Sequence, residues 1–448
     1  MPSKNEIYKI DYVLVFVVII TVCIGILMIY SAGFDPIDKV NSGLYKKQII
    51  WFIAGVALML GLTFLSHRYI GDYSIYIYGF FLFLVLLTLV FGKSVRNTKA
   101  WLNLGLFSLQ PSEFMKLGMV ILLAKYIELR ERDMHNLREL LIPFAVMAAP
   151  VLLILMQPDF GTAVVFIPVL FTMLFLGGAD VSHLLSVVSI ATIAMVVPMV
   201  ITYREWIGAE GSNFLLDFFK DPGLIFIVSA VLLVISIIAF VLHFFFIKKY
   251  YRRIYVPAFV ISSGLLCSIL IQRFLKDYQK KRILVFLNPD LDPHGSGYNI
   301  IQSKIAVGSG GILGKGFLSG SQSQLGFLPE KSSDFIFPVI AEEWGFVGSL
   351  ILIALLCLIV LRGIQISLEA KDKFASMLAA GITSIFFYHI LINIGVVLGI
   401  MPVTGLPLCF VSYGGSNLLM SMMAVGILIN IRTVSYTHLR AHETVLDL

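Results

Sequence analysis

Charge is what this sequence has least of. Only 13% of its residues are Asp, Glu, Lys or Arg, about half of the roughly 25% found in soluble domains. That excludes a globular domain clothed for water, and equally a disordered chain, which needs high charge and few apolar residues. Cysteine is scarce too. Cys23, Cys267, Cys357 and Cys409 each stand alone in an apolar stretch, which excludes zinc and redox spacings and predicts small core residues. No internal repeat and no low-complexity tract is present, so solenoids and the inverted repeats of many transporters find no support. What abounds is apolar surface: 58% of the residues are hydrophobic and the mean hydropathy is +0.93. At about 20 residues per crossing, a chain of 448 residues has room for roughly ten to a dozen membrane helices. The fold class is all-α, a polytopic integral membrane protein.

Apolar runs place twelve spans near 11–31, 48–66, 73–92, 113–128, 140–156, 160–178, 183–202, 223–247, 254–272, 335–361, 374–398 and 408–431. The first run resembles a signal peptide but is too long for its apolar region, and reads as an uncleaved helix. The net charge of +6 suggests membrane topology rather than nucleic acid, because the basic residues cluster between apolar runs. Arg130, Arg132 and Arg138, then Lys248, Lys249, Arg252 and Arg253, then Arg362, Lys371, Lys373 and Arg432 fall in alternate loops. Lysine and arginine concentrate on the cytoplasmic side, so both termini are expected there, although Lys39, Lys46, Lys47, Lys93, Arg96 and Lys99 lie in the first two outer loops. The long outer segment 273–334, before the tenth span, is also basic. Long external loops escape the charge rule, and this one suits anionic lipid headgroups or an anionic substrate.

The glycine cluster from Gly308 to Gly316 is neither a P-loop nor a dinucleotide fingerprint. Ser309 stands where a P-loop needs its first glycine, and Leu313 where the dinucleotide motif needs its third. It is expected to be flexible backbone at the membrane surface, or amides offered to a pyrophosphate. Charges at membrane depth carry more weight. Glu113 and Lys116 open the fourth span three residues apart, hence on one face, either as a satisfied pair or as a lysine waiting for an anion. Asp159, in Gln157-Pro158-Asp159-Phe160-Gly161, marks a tight turn and a helix cap. Asp334 follows Ser332-Ser333 just before a span, where a cap is the plain reading, and Glu342 and Glu343 sit inside the apolar run. Acid beside a basic loop suits proton removal next to an anionic leaving group. The tail 435–448 turns polar once Arg432 ends the last helix; His438 and His442 there lack a third ligand and do not make a metal site.

The run Gly320-Ser321-Gln322-Ser323-Gln324-Leu325-Gly326-Phe327-Leu328-Pro329-Glu330-Lys331-Ser332-Ser333-Asp334-Phe335-Ile336-Phe337 resembles the signature of the SEDS family, the bacterial shape, elongation, division and sporulation proteins. Trp101-Leu102-Asn103-Leu104-Gly105, Gln110-Pro111-Ser112-Glu113, Gln157-Pro158-Asp159 and Gly297-Tyr298-Asn299-Ile300-Ile301-Gln302-Ser303-Lys304 match in order. So do Pro402-Val403-Thr404-Gly405-Leu406-Pro407 and Val411-Ser412-Tyr413-Gly414-Gly415-Ser416. The Ser-Gln-Ser-Gln-Leu wording is more similar to the elongation branch than to the division branch. The resemblance implies a peptidoglycan glycosyltransferase that polymerises lipid II at the outer face of the bacterial cytoplasmic membrane, alongside a class B penicillin-binding protein. It puts the catalytic aspartate at Asp334 and the family's glutamate and lysine at Glu113 and Lys116. Trp101, Lys99, Asp159, Gln302, Lys304, Lys315 and Glu330 complete the expected substrate contacts. A divalent cation, Mg²⁺ or Mn²⁺, would assist the pyrophosphate, though no ligand cluster specifies one.

Three departures stand out. Ala100, preceded by Lys99, occupies the place of an arginine. Ser332-Ser333 replaces His-Thr before the aspartate. The family has ten helices, so residues 203–255 are expected to be an insertion in a single domain of residues 1–434, and the tail 435–448 looks foreign. A lipid II flippase and a scaffold for the elongation machinery are the rival functions. The polar signals gather in outer loops rather than at the midplane, which favours the enzyme over the transporter.

Overall fold

The computed structural model describes residues 11–35, 40–95, 98–103, 105, 107–207, 221–246, 249–274, 285, 288 and 296–446. Each of the twelve apolar segments contains a helix, the last of them starting only at Gly415 rather than near 408: α1 (Tyr12–Ala32), α2 (Leu44–Phe64), α3 (Ser74–Phe91), α4 (Pro111–Leu129), α5 (Leu137–Met156), α6 (Phe160–Leu176), α7 (Val181–Ile207), α8 (Pro222–Phe246), α9 (Lys249–Phe274), α10 (Ile336–Glu369), α11 (Lys373–Val397) and α12 (Gly415–Leu446). Among the described residues ten of these are long and apolar enough to cross a membrane. The other two are α4, whose first turns carry Glu113 and Lys116, and α6, which has 17 residues. The chain is a multi-pass membrane protein. Five short strands pair between helix ends: β1 (Phe34–Asp35) with β2 (Val40–Asn41), and β4 (Thr98–Asn103) between β3 (Lys93–Val95) and β5 (Ser108–Leu109), all antiparallel.

The helices form two compact units, Met1–Gly178 with Asn299–Leu448, and Ala179–Tyr298. In the second, α9 packs against α7 and α8 around Val197, Ile201, Ile225 and Leu265. Ser262 Oγ donates to the Ser229 carbonyl at 2.7 Å, and Ser236 Oγ to that of Tyr255 at 3.0 Å. Small hydroxyl residues thus knit α8 to α9 as they do in apolar surroundings. Of the expected insertion, residues 208–220 and 247–248 lie outside the described residues, as does much of the outer loop, including Lys276 and Lys280 to Arg282.

In the first unit α4 is the central element. It packs against α3, α5, α6, α11 and α12 and buries nearly every side chain from Pro111 to Ala124. Polar contacts collect at its two ends. At one end Asp372 caps α11 by accepting from the Ala375 amide at 2.7 Å, and His67 meets it at 3.2 Å. The hydrogen bond with His67 is the main reason the Asp372 carboxyl titrates below its ordinary range. Asn430 of α12 holds the His67 backbone N–H at 3.0 Å and the Thr63 carbonyl at 2.8 Å.

Three expectations need correction. Arg432 does not end the last helix, because α12 runs on to Leu446; the backbone keeps its helical bonds where the side chains turn polar. Cys23 and Cys357 are exposed rather than packed in a core, and all four thiols are free. A thiol is apolar enough to face lipid, so burial is not required of it. The glycine cluster is not loose backbone. Gly345 breaks α10 with φ 68° and ψ −162°, and the cluster is strapped across that break. The Lys315 and Gly316 amides donate to the carbonyls of Glu342 and Glu343 at 3.0 Å each, while the Phe346 and Val347 amides donate to Gly311 and Ile312 at 2.9 and 3.1 Å. The groups freed by the kink are thereby satisfied inside the protein, as a membrane demands.

Candidate active site

The opposite end of the first unit gathers the matched motifs. Asp334 lies two residues before α10. It does not cap that helix: Phe335 takes the N-cap position, without a side-chain bond. The Asp334 carboxyl faces Gly405, and its Oδ2 is 3.4 Å from the place a Cβ on that glycine would occupy. Gly405 has φ +78°, a backbone conformation that favours glycine. The segment 402–414, between α11 and α12, is bound to the strand of chain ahead of Asp334. Ser412 Oγ donates to the Ser333 carbonyl at 2.7 Å and the Tyr413 amide to the Ser332 carbonyl at 2.8 Å. Asn393 of α11 donates to the Asp334 carbonyl at 2.9 Å and to that of Leu406 at 2.6 Å.

Glu113 and Lys116 meet as their spacing predicts. Lys116 Nζ is 2.9 and 3.0 Å from the two Glu113 oxygens, and the residues are 2% and 1% exposed. Two further residues complete the cluster. Asn417 donates to Glu113 Oε2 at 2.8 Å, and His389 Nε2 lies 2.8 Å from Lys116 Nζ. His389 Nδ1 faces the Pro407 carbonyl at 3.1 Å, which assigns the proton to Nδ1 and leaves Nε2 to accept from the ammonium. The ion pair is therefore enclosed and fully hydrogen-bonded, which is how a buried pair escapes its desolvation cost.

Asp159 caps α6, accepting from the Thr162 amide at 3.2 Å and its hydroxyl at 2.8 Å, and takes a bond from Gln110 Nε2 at 2.7 Å. Burial raises its pKa above the ordinary carboxylate value, against the lowering effect of the Thr162 bonds. Glu330 has φ +50° and its carbonyl accepts from the amides of Ser333 and Phe335 at 3.0 and 3.3 Å. Lys315 reaches Glu342 at 2.8 Å and Ser321 Oγ at 2.7 Å. Glu342 is wholly buried, and it also accepts from the Gln322 and Ser323 amides at 2.9 and 3.0 Å, so it organises the signature loop. Glu343 accepts from Ser31 of α1. Lys331 donates to the Ser323 carbonyl at 2.6 Å, and burial lowers its pKa. Trp101 lies half-buried in β4 opposite Lys93, and Lys99 is exposed on the same strand. Gln302 and Lys304 stand on the helix Ser296–Ser309, half-buried and exposed, with the Lys304 side-chain end over Gly399 at the close of α11. No three His, Cys, Asp or Glu side chains converge among the described residues.

His389, Asn393, Asn417 and Gly405 are the members that sequence reasoning missed. The signal available was a polar residue repeating at one-turn spacing, His389 then Asn393, inside an apolar helix.

A bundle of apolar helices with its acid, amide and lysine side chains gathered at helix ends defines a multi-pass membrane protein with a polar site at one end. Comparison with known proteins goes further. The chain belongs to the cell cycle protein family of FtsW, RodA and SpoVE, whose family model matches residues 11–222 and 221–437. It is 36% identical over 423 residues to the peptidoglycan glycosyltransferase RodA of Treponema pallidum, across 94% of this chain and 97% of that one. It is 33% identical over 431 residues to the stage V sporulation protein E of Bacillus subtilis, across 95% and 97%. A solved structure concerned with the coordination of polymerization and crosslinking by a peptidoglycan synthase complex superposes with a TM-score of 0.67. That match has 28% identity, over 95% of this chain and 98% of that one. The crystal structure of the rod shape determining protein RodA of Thermus thermophilus gives a TM-score of 0.59 at 25% identity, with the same coverage.

Proposed function

We propose that this protein is a peptidoglycan glycosyltransferase that polymerises lipid II at the outer face of the bacterial cytoplasmic membrane during cell elongation. The observation that carries the reading is a carboxylate, Asp334, facing Gly405, on a backbone whose carbonyls at Asp334 and Ser333 accept from the Asn393 and Ser412 side chains, within a chain whose relatives are named for this activity. Asp334 accepts a proton from the sugar hydroxyl of one lipid-linked disaccharide. The freed oxygen attacks the anomeric carbon of a second, the bond to the pyrophosphate breaks, and undecaprenyl pyrophosphate leaves with the electron pair. Configuration inverts at that carbon. Lys304 is the exposed lysine best placed to meet the departing charge, since Lys116 and Lys315 are engaged with Glu113 and Glu342. A class B penicillin-binding protein is the partner that crosslinks the product, a role supported by the likeness to a complex of polymerization and crosslinking.

Incubation of the purified protein with labelled lipid II tests the activity: glycan polymer on a gel is the expected result, and lipid transfer across a vesicle without polymer refutes it. Sidedness has its own test. With both termini cytoplasmic, Tyr250 on α9 lies inside, because Lys248, Lys249, Arg252 and Arg253 resist translocation. Tyr250 is 66% exposed, so a Tyr250→Cys variant is expected to react with a membrane-impermeant maleimide only after the cells are opened. Ready labelling of intact cells would reverse the topology.

A further inference from the structure

The backbone of Asp334 is tied down by a side chain from another helix. Asn393 is 3% exposed, and a single nitrogen, Nδ2, donates to the carbonyls of both Asp334 and Leu406. Both partners are acceptors, so the amide cannot be turned over without setting oxygen against oxygen. Its Oδ1 is left buried with no hydrogen-bond partner among the described residues. An unpaired buried acceptor is costly, and what the residue gives in return lies on its donor side. Asn393, Asp334, Thr404, Gly405 and Leu406 line one crevice, so the two carbonyls it joins belong to the two walls that meet at the Asp334 carboxyl. The same helix grips the same segment one turn earlier, through His389 and the Pro407 carbonyl.

We infer that Asn393 is a positioning residue for Asp334: by bridging the two walls it fixes the distance between the carboxylate and the hydroxyl it deprotonates. The inference rests on the reading of Asp334 as the base. Displacing a base by about an ångström can cost a hundredfold in rate, whereas substrate affinity is set by other contacts.

Asn393→Leu keeps the volume and removes the donor. It is expected to lower kcat roughly 10- to 100-fold in the lipid II polymerisation assay, with KM within about threefold and an unfolding temperature within a few degrees of the parent. Parent-like kcat overturns the inference. If that variant does not purify folded, Asn393→Asp decides. A carboxylate there faces two carbonyls and the Asp334 side of the crevice; His389, bonded to Lys116 of the Glu113 pair, is one turn earlier on α11, and the Lys304 side chain lies over Gly399 just past the end of α11. Burial and the facing oxygens favour its protonated form, which regains one donor. Its activity relative to the parent is therefore expected to rise as pH falls from about 8 to about 6, at constant unfolding temperature. A flat ratio, or an unfolding temperature that moves with it, shows a structural role alone and overturns the inference. Parent activity in Asp334→Asn removes the base assignment, and this inference with it; an inactive Asp334→Asn beside a parent-like Asn393→Leu removes the positioning role only.

Discussion

Replacing Lys116 with alanine is expected to unfold the protein before it can be assayed. Lys116 and Glu113 are almost wholly buried, and the ammonium is the one cation bonded to Glu113 among the described contacts. Removing one partner of such a pair leaves an uncompensated charge in a low-dielectric interior, at a cost of about 3–5 kcal/mol. That is a large share of the roughly 5–15 kcal/mol that holds a typical domain folded. His389 loses its donor at the same stroke, and with it the link between α4 and the Pro407 carbonyl. The measurement is recovery of monodisperse protein after heating in detergent, where Lys116→Ala should fall well below the parent. A paired variant, Glu113→Gln with Lys116→Met, removes both charges at similar volume and is expected to recover much of the loss, since a neutral pair needs no desolvation. Should Lys116→Ala prove as stable as the parent and fail only in polymerisation, the pair would act on substrate and not on the fold.

How much of this could be read beforehand depends on the range of the interaction. Most of the helices could, because ten of the twelve are apolar enough over a length that crosses a membrane. The Glu113–Lys116 pair could, because a separation of three residues in a helix leaves two side chains on one face. The cap at Asp159 could, because turn chemistry is local. His389, Asn393 and Asn417 could not be assigned, because their partners lie 13 to 304 residues away and nothing local marks a polar side chain that bonds across a bundle; Gly405 could not, because the carboxylate it faces belongs to a distant segment. The ordered form of the Gly308–Gly316 cluster is hidden in the sequence for the same reason: its carbonyl partners are made by a kink at Gly345 that only the packed structure reveals. Asp334 was a cap candidate by its neighbours, and the start of α10 at Ile336 takes that role away.

That loss sharpens the remaining test, Asp334→Asn, which should abolish polymer formation and leave the fold intact. Asparagine matches aspartate in shape. Three bonds here, from Asn393 to its carbonyl and from Ser412 and Tyr413 to the carbonyls just before it, involve the main chain and survive the substitution. Gly405 still leaves room beside the side chain. Beyond the shape that asparagine keeps, the carboxylate has two things an amide lacks, charge and basicity. General-base catalysis contributes about 10²–10⁴ in rate, so the variant should polymerise lipid II at least about a hundredfold more slowly while eluting and unfolding like the parent. An unfolded variant would show that the carboxylate serves the fold. A folded variant within a few-fold of the parent would take Asp334 out of the reaction and pass the role to another acid at this end. Asp159 is the weaker heir, since its oxygens already serve Thr162 and Gln110. Glu330 is the nearer in sequence, four residues before Asp334 on the same loop and half-buried, with its Oε2 accepting from Ser333 Oγ at 3.3 Å, so Glu330→Gln would be the variant to make next.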